Sequence, residues 1–393
     1  MNEKMTALGK SPSKIREIFE YSRGRKAQIG AENVFDFSLG NPSIPAPDSV
    51  NAAINRLVNE SDSVMLHGYT SAQGDLGVRT AVAESITKRF GTPASADDIY
   101  MTCGAAASLT ITLKAICEPG NEVIVLAPFF PEYSVFIDNC GAKKVVVNTV
   151  APDFTVDFKA LAVAITEKTA AVLINFPNNP TGAVINSGEA EQLAKLLREK
   201  SAEFKKPVYL ISDEPYRELS YGEPSPFMPN FYENTVVDYS FSKSLSLPGE
   251  RIGYIFVPRT LAGARDLYAA VCGAGRSMGY VCAPSLMQYA IKNCVFDTSD
   301  IEAYNQNRVL FYNALTCMGY TVTKPNGAFY LFVKSPSGDS AEFCERAKKH
   351  EILMVPSDSF GITGYARIAY CVKREMIEKS LPAFRALMEE YKK

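Results

Sequence analysis

Residues Ser240–Tyr254 read SFSKSLSLPGERIGY. The run NTVVDY before it is β-branched and aromatic, and RIGYIFV at its end is again apolar. The stretch therefore reads as a polar turn between two buried strands. Lys243 stands among small hydroxyls at the end of the first strand. Arg251 follows eight positions later, with Gly249 and Gly253 beside it.

The same grammar repeats upstream. IYMTCG ends in a small-residue turn, and AAASLTITLKAI follows it with helical spacing. EVIVLAP, AAVLINFP and PVYLISDE are further apolar strands, while DFKALAVAITEK and EAEQLAKLLREKSAEF carry helical patterns. Strands that are apolar throughout and separated by helices predict an α/β fold with a mostly parallel sheet covered on both faces. From Asp300 the pattern changes. DIEAYNQNRVLFYNALTCMGY is a long helix, GAFYLFV and ARIAYCV are strands, and AEFCERAKKHE and the C-terminal REMIEKSLPAFRALMEEYKK are helices. The expected organisation is a large domain at 49–285 and a small α+β domain at 286–393, joined by an N-terminal segment at 1–48. That segment holds a helix (SKIREIFEYSRGRK), then VFDFSLGNPSIPAP, whose Gly and Pro residues predict a loop across the surface.

Bulk properties exclude several function classes. The chain has 393 residues, enough for about two to three domain-sized units. Its net charge of -2 argues against a nucleic-acid surface or a polybasic membrane contact. Its apolar runs fall far short of the roughly 20 residues of a membrane span, and the N-terminus lacks the apolar core of a secretory signal. Nine cysteines are scattered without a C-x-x-C pair, and there are only two histidines, so neither a metal site nor a disulfide framework is expected. A reducing cytoplasm fits that usage. No G-x-S-x-G, P-loop or dinucleotide fingerprint is present.

In a doubly wound sheet, ligands sit beyond the carboxyl ends of the strands, and four such ends carry suggestive residues. TCGAAAS (Thr102–Ser108) opens a helix whose free N–H groups suit a phosphate. NFPNNPTG (Asn175–Gly182) is a polar turn on a buried strand. Asp213 in SDEPY follows an apolar run and needs a partner, because burying an unpaired charge is costly. SFSK adds hydroxyls and the lysine. A phosphate cup, a lysine that can take a carbonyl, and a carboxylate that can take a ring nitrogen together describe pyridoxal 5'-phosphate.

The order NPTG, then DE-x-Y, then S-x-S-K with an arginine eight residues on resembles the fold-type-I pyridoxal-phosphate aminotransferases of class I/II, the aspartate aminotransferase superfamily. The likeness runs from LGNP to RIAY. It implies a sheet of the seven-stranded type and a homodimer with shared sites. It further implies that Lys243 carries the cofactor as a Schiff base, Asp213 pairs with the ring nitrogen, and Tyr216 and Asn179 bond the ring oxygen. Ser240, Ser242, Arg251 and the backbone of Ala105 and Ala106 would hold the phosphate, with Phe130 stacked on the ring. Tyr69 would reach the neighbouring subunit's phosphate, while Arg367 and Gly40 would meet the substrate carboxylate. Expected partners are an amino acid and a 2-oxo acid, with no nucleic acid and no membrane. A β-eliminating C–S lyase and a non-catalytic relative on the same fold are the alternatives. Side-chain specificity stays open. Ala106 stands where some relatives that act on aspartate carry a lysine, Arg276 is a candidate for a second carboxylate, and Phe129, Phe130 and Tyr133 predict room for apolar side chains.

Overall fold

The structure, a computed structural model, describes residues 1–10 and 13–392. Seven strands form the large sheet: β1 (Ile99–Thr102), β2 (Glu122–Ala127), β3 (Lys143–Asn148), β4 (Thr169–Ile174), β5 (Tyr209–Asp213), β6 (Thr235–Ser240) and β7 (Gly253–Phe256). Their order is β1-β7-β6-β5-β4-β2-β3. Strand β7 is antiparallel to both of its neighbours, and every other pairing is parallel. Six strands thus end at one edge of the sheet. The seventh begins there, because Gly253 is in register with both Ser240 and Thr102.

The apolar runs form strands because both faces are covered. Val123 and Val125 of β2 face one way and pack with Leu109 and Leu113 of helix α1 (Ala105–Ile116). Ile124 and Leu126 face the other way, into a cluster with Leu193 and Leu197 of the helix Ser187–Phe204. Each fully buried Val, Ile or Leu contributes roughly 1.5–3 kcal/mol, so these two layers hold the sheet. Strand β3 (KKVVVN) was absent from the sequence reading. It is an edge strand with one paired side, and its lysines and the partly exposed Val145 and Val146 hide the signal of a buried strand. The helix expected over DFKALAVAITEK is shorter, Phe158–Ala164, and is capped by the Asp157 carboxylate on the Ala160 N–H.

A second, antiparallel sheet comprises β8 (Val322–Thr323), β9 (Tyr330–Lys334), β10 (Val355–Pro356) and β11 (Tyr365–Ala369), in the order β10-β11-β9-β8. The helices Ile301–Met318 and Arg374–Glu390 cover it through a shared core with Phe311, Phe343 and Phe384. Met287, Ala290, Ile291 and Val295, by contrast, pack with Val237, Tyr254 and Phe256 of the large sheet.

The expectation of a surface loop at VFDFSLGNPSIPAP needs correction at its start. Phe35–Asp36 is a short strand, parallel to Ile352–Leu353. Phe37 and Ser38 are fully buried. Their backbone is satisfied in the interior, with Phe37 N–H donating to the Leu353 carbonyl and Ala369 N–H to the Phe37 carbonyl.

Candidate active site

The shared strand edge opens into a cavity of about 350 Å³, lined by residues from each of the four strand ends singled out in the sequence and by Gly40 and Arg367. Lys243 lies in a single helical turn, Phe241–Ser244, directly after β6. Its Nζ donates to the Gly40 carbonyl at 2.7 Å. Burial lowers the Lys243 pKa to about 8. Arg251 and Arg367 push the same way, and Cys371 opposes them. The neutral amine, the form that attacks carbonyl carbon, is therefore more populated near neutral pH than in an ordinary lysine.

Asp213 ends β5. Its Oδ2 accepts from the Tyr133 hydroxyl at 2.5 Å, and Asn175 Nδ2 donates to its backbone carbonyl at 2.9 Å. Its Oδ1 is buried without a partner among the described residues. Burial raises the Asp213 pKa to about 7, and Glu214 adds to that, while the Tyr133 bond works against it. Arg367, on β11, is buried at 2% exposure. Nη1 donates to Asn179 Oδ1 at 2.9 Å and Nη2 to the Ser38 carbonyl at 2.5 Å, and the guanidinium lies 4.5 Å from the Tyr330 ring centroid. Its Nε is unsatisfied, and it has no carboxylate partner among the described residues. A buried carboxylate with one empty oxygen and a buried arginine without an anion are costly unless a ligand completes them.

The remaining groups form an anion cup. The Ser240 and Ser242 hydroxyls lie 2.7 Å apart. Ala105 and Ala106 open α1, whose first N–H groups have no intrahelical acceptor. Arg251 sits above that helix end. A Cβ added to Gly104, at φ +87, would come within 2.8 Å of Arg251 Nη2. Arg251 itself is left-handed at φ +52, a conformation that costs of order 1–3 kcal/mol and is held here beside the cavity. The cup, the amine, the unpaired carboxylate oxygen and the anion-free arginine match the phosphate, aldehyde, pyridine nitrogen and substrate carboxylate that pyridoxal phosphate chemistry brings. The residues present fit that group.

Tyr216 and Asn179 line the same cavity, as do Phe130 and Gly40. The Tyr216 hydroxyl is 2.9 Å from that of Tyr330, and burial raises the Tyr216 pKa well above its ordinary value. Gly40 is needed for close approach, because a Cβ there would fall 2.0 Å from the Tyr330 hydroxyl. Two residues are not brought in by their own chain. Tyr69 is 91% exposed after the helix Ser63–His67, and Arg276 is exposed near the end of the helix Ala264–Ser277. Of the three aromatics in PFFPEY, only Phe130 faces the cavity. Phe129 and Tyr133 are core residues, which corrects the expectation of a three-ring apolar pocket. Sequence reasoning missed Tyr330, Asn175, Gly104 and the role of Tyr133. Gly104, a glycine at a strand-to-helix turn, and Asn175, the first residue of the polar turn NFPNNPTG, left a trace in the sequence.

The comparisons agree with this geometry. The family described as aminotransferase class I and II matches residues 32–384. A crystal structure of an amino transferase from Eubacterium rectale is 52% identical, with a TM-score of 0.98 over 100% of this chain and 99% of that one. The aspartate aminotransferase of Thermotoga maritima is 30% identical over 93% of this chain and 95% of its own length. Aromatic-amino-acid aminotransferase 2 of Thermococcus litoralis is 27% identical over 97% of each. The protein belongs to the class I and II aminotransferase family, and it is an aminotransferase.

Proposed function

We propose that the chain moves an amino group between an L-amino acid and a 2-oxo acid with pyridoxal 5'-phosphate held in this cavity. The observation that carries the reading is the unpartnered Oδ1 of buried Asp213, which shares one cavity with the pKa-lowered Lys243. When bound, pyridoxal phosphate supplies an aldehyde for the amine and a ring that stores the electron pair left at Cα. Ser240, Ser242, Arg251 and the N–H groups of Ala105 and Ala106 would hold its phosphate, with Phe130 against the ring and Tyr216 and Asn179 at the ring oxygen. Asp213 would keep a proton on the ring nitrogen. Arg367 presents a planar fork to the substrate α-carboxylate, oriented by Asn179 and the Ser38 carbonyl. Gly40 leaves room beside it. Lys243 Nζ would take the proton from the substrate Cα and hold it for return.

Borohydride reduction of protein loaded with pyridoxal phosphate should fix one phosphopyridoxyl group per chain, on the peptide that contains Lys243. Labelling at another lysine would refute the assignment.

We further propose a large unit that begins at residue 49 and a small one built from 1–48 and the C-terminal part; the packing of Met287, Ala290, Ile291 and Val295 on the large core supports a crossover after Val295 rather than at the 285 expected from the sequence. The active form is a cytoplasmic homodimer on this reading. Exposed Val64, Met65, Tyr69 and Leu76 support an apolar contact face, and nine unpaired cysteines among the described residues fit a reducing compartment. If Tyr69 serves the neighbouring site, Lys243→Ala and Tyr69→Ala chains should complement. A mixed dimer keeps one site with both groups intact, so random reassociation should restore about a quarter of wild-type activity. An unmixed pair that is no less active than the mixture would defeat the shared site.

A further inference from the structure

We infer that Asp36 is a positioning residue for the substrate α-carboxylate, because it fixes the Ser38 carbonyl that orients Arg367. The inference rests on the proposed role of Arg367 and adds a residue that does not itself line the cavity. Asp36 ends the short strand Phe35–Asp36, and its side chain is 9% exposed. Its Oδ1 accepts from the Ser38 N–H at 3.1 Å and from the Ser38 hydroxyl at 2.6 Å. An aspartate that bonds the backbone two residues on closes a local turn. Its Oδ2 accepts from the Ser22 hydroxyl at 2.5 Å and from Lys26 Nζ at 3.1 Å. Ser22 and Lys26 are one turn apart on the helix Lys14–Ile29, so both reach the carboxylate from one face. Burial opposes the charge of Asp36, but the two hydroxyls, the Ser38 N–H and Lys26 outweigh it, and the pKa lies below its ordinary value.

The turn leads directly to the guanidinium. The Phe37 carbonyl accepts from the N–H of Ala369, which lies on β11 with Arg367, and the Ser38 carbonyl accepts from Arg367 Nη2. Segment 36–38 is thus tied to the arginine's strand through its backbone and to the arginine's head through Ser38. The rings of Tyr330 and Phe360 lie against the guanidinium, with centroids 4.5 and 5.1 Å from its carbon. Contact with a ring face restrains the plane of the group but not its rotation within that plane. The bonds to Ser38 and Asn179 set that rotation, and two-point recognition of a carboxylate depends on it. Without Asp36, Ser38 loses the bonds of its N–H and hydroxyl, and its carbonyl is free to turn from Nη2. Lys26 pairs with the charge of Asp36, so the effect on Arg367 is one of geometry. A misaligned fork weakens every amino acid alike, whatever its side chain.

The test ligand is 2-methylalanine, which has both α groups but no α-hydrogen, so binding is read without proton removal at Cα. Absorbance titration of the pyridoxal-phosphate-loaded enzyme should show half-saturation at about tenfold higher concentration in Asp36→Ala, the scale of one lost hydrogen bond to a charged group. Asp36→Asn keeps one acceptor for Ser38 and should lose about fivefold, which carries the test if the alanine variant does not fold. Equilibrium dialysis should find the affinity for pyridoxal phosphate within about twofold of wild type in both. Lys26→Met removes the outer pair but neither bond to Ser38, so it should lower the thermal midpoint and keep 2-methylalanine binding. In an Arg367→Ala background Asp36→Asn should add no further loss, because Asp36 acts through Arg367. Unchanged binding in Asp36→Asn, a full additional loss in the Arg367→Ala background, an equal loss of ligand and cofactor, or a Lys26→Met variant as impaired as Asp36→Ala would each overturn the inference. Wild-type binding that Arg367→Ala leaves intact would instead sink the carboxylate assignment beneath it.

Discussion

Lys243→Ala is expected to lower turnover by about 10⁴-fold or more while leaving the chain folded. Among the described residues, Lys243 is the one lysine that lines the cavity. Burial brings its pKa to about 8, so a useful fraction is unprotonated near neutral pH. It also sits where the cup and the Asp213 side converge. Its bond to the Gly40 carbonyl is a single hydrogen bond, and the cup does not depend on it, so the alanine variant should still hold pyridoxal phosphate non-covalently. Lys243→Arg separates charge from proton transfer. Arginine keeps the positive charge but does not deprotonate in this range, so it should be as inactive as alanine. Steady-state rates on the two variants, with equilibrium dialysis of the cofactor, check both statements. Near-wild-type turnover in either variant would remove the lysine from the chemistry.

Asp213→Asn should cut the rate by at least about 10²-fold, the usual cost of removing one preorganised electrostatic partner. The same substitution should stabilise the ligand-free protein at pH 8. Asp213 has a folded pKa of about 7 against an ordinary 3.8, because the interior is a poor host for its charge. Above pH 7 the carboxylate is ionised in both the folded and unfolded chain, and the folded state bears the full penalty. As pH falls from 7 towards 4, the folded state takes up the proton first and the penalty disappears. The rise in thermal midpoint of Asp213→Asn over wild type should therefore be largest at pH 8 and shrink towards pH 4. With pyridoxal phosphate bound the sign reverses, because a cationic ring nitrogen compensates the wild-type carboxylate and not the amide. Scanning calorimetry with and without cofactor, across this pH range, reads both arms. A carboxylate that is merely structural would show no reversal.

These two residues were visible in the sequence because each ends an apolar run. Asp213, directly after YLIS, and Lys243, in the polar turn that follows TVVDY, have to emerge at the edge of a buried sheet. The alternation of such runs with helical patterns also determined the α/β class. It missed β3, whose lysines and single paired edge give it the composition of a surface segment. Local spacing carried Arg251 and the hydroxyls into one group with Lys243, since a short turn leaves them little freedom.

What the chain order alone determined is therefore which segments are strands, which are helices, and which strand ends carry reactive groups. Contacts between distant segments were decided only by the folded state. Arg367 is 329 positions from Ser38, yet donates to its carbonyl. Tyr133 bonds Asp213 from outside the cavity, and Tyr330 closes on Gly40. Periodicity reports which face of an element is apolar, but not which residue of another element stands opposite it. The register of β7 against β1 and β6 brings those ends to one edge. Burial then sets the charge state of each group there, because desolvation depends on the whole surrounding shell and not on neighbours in sequence.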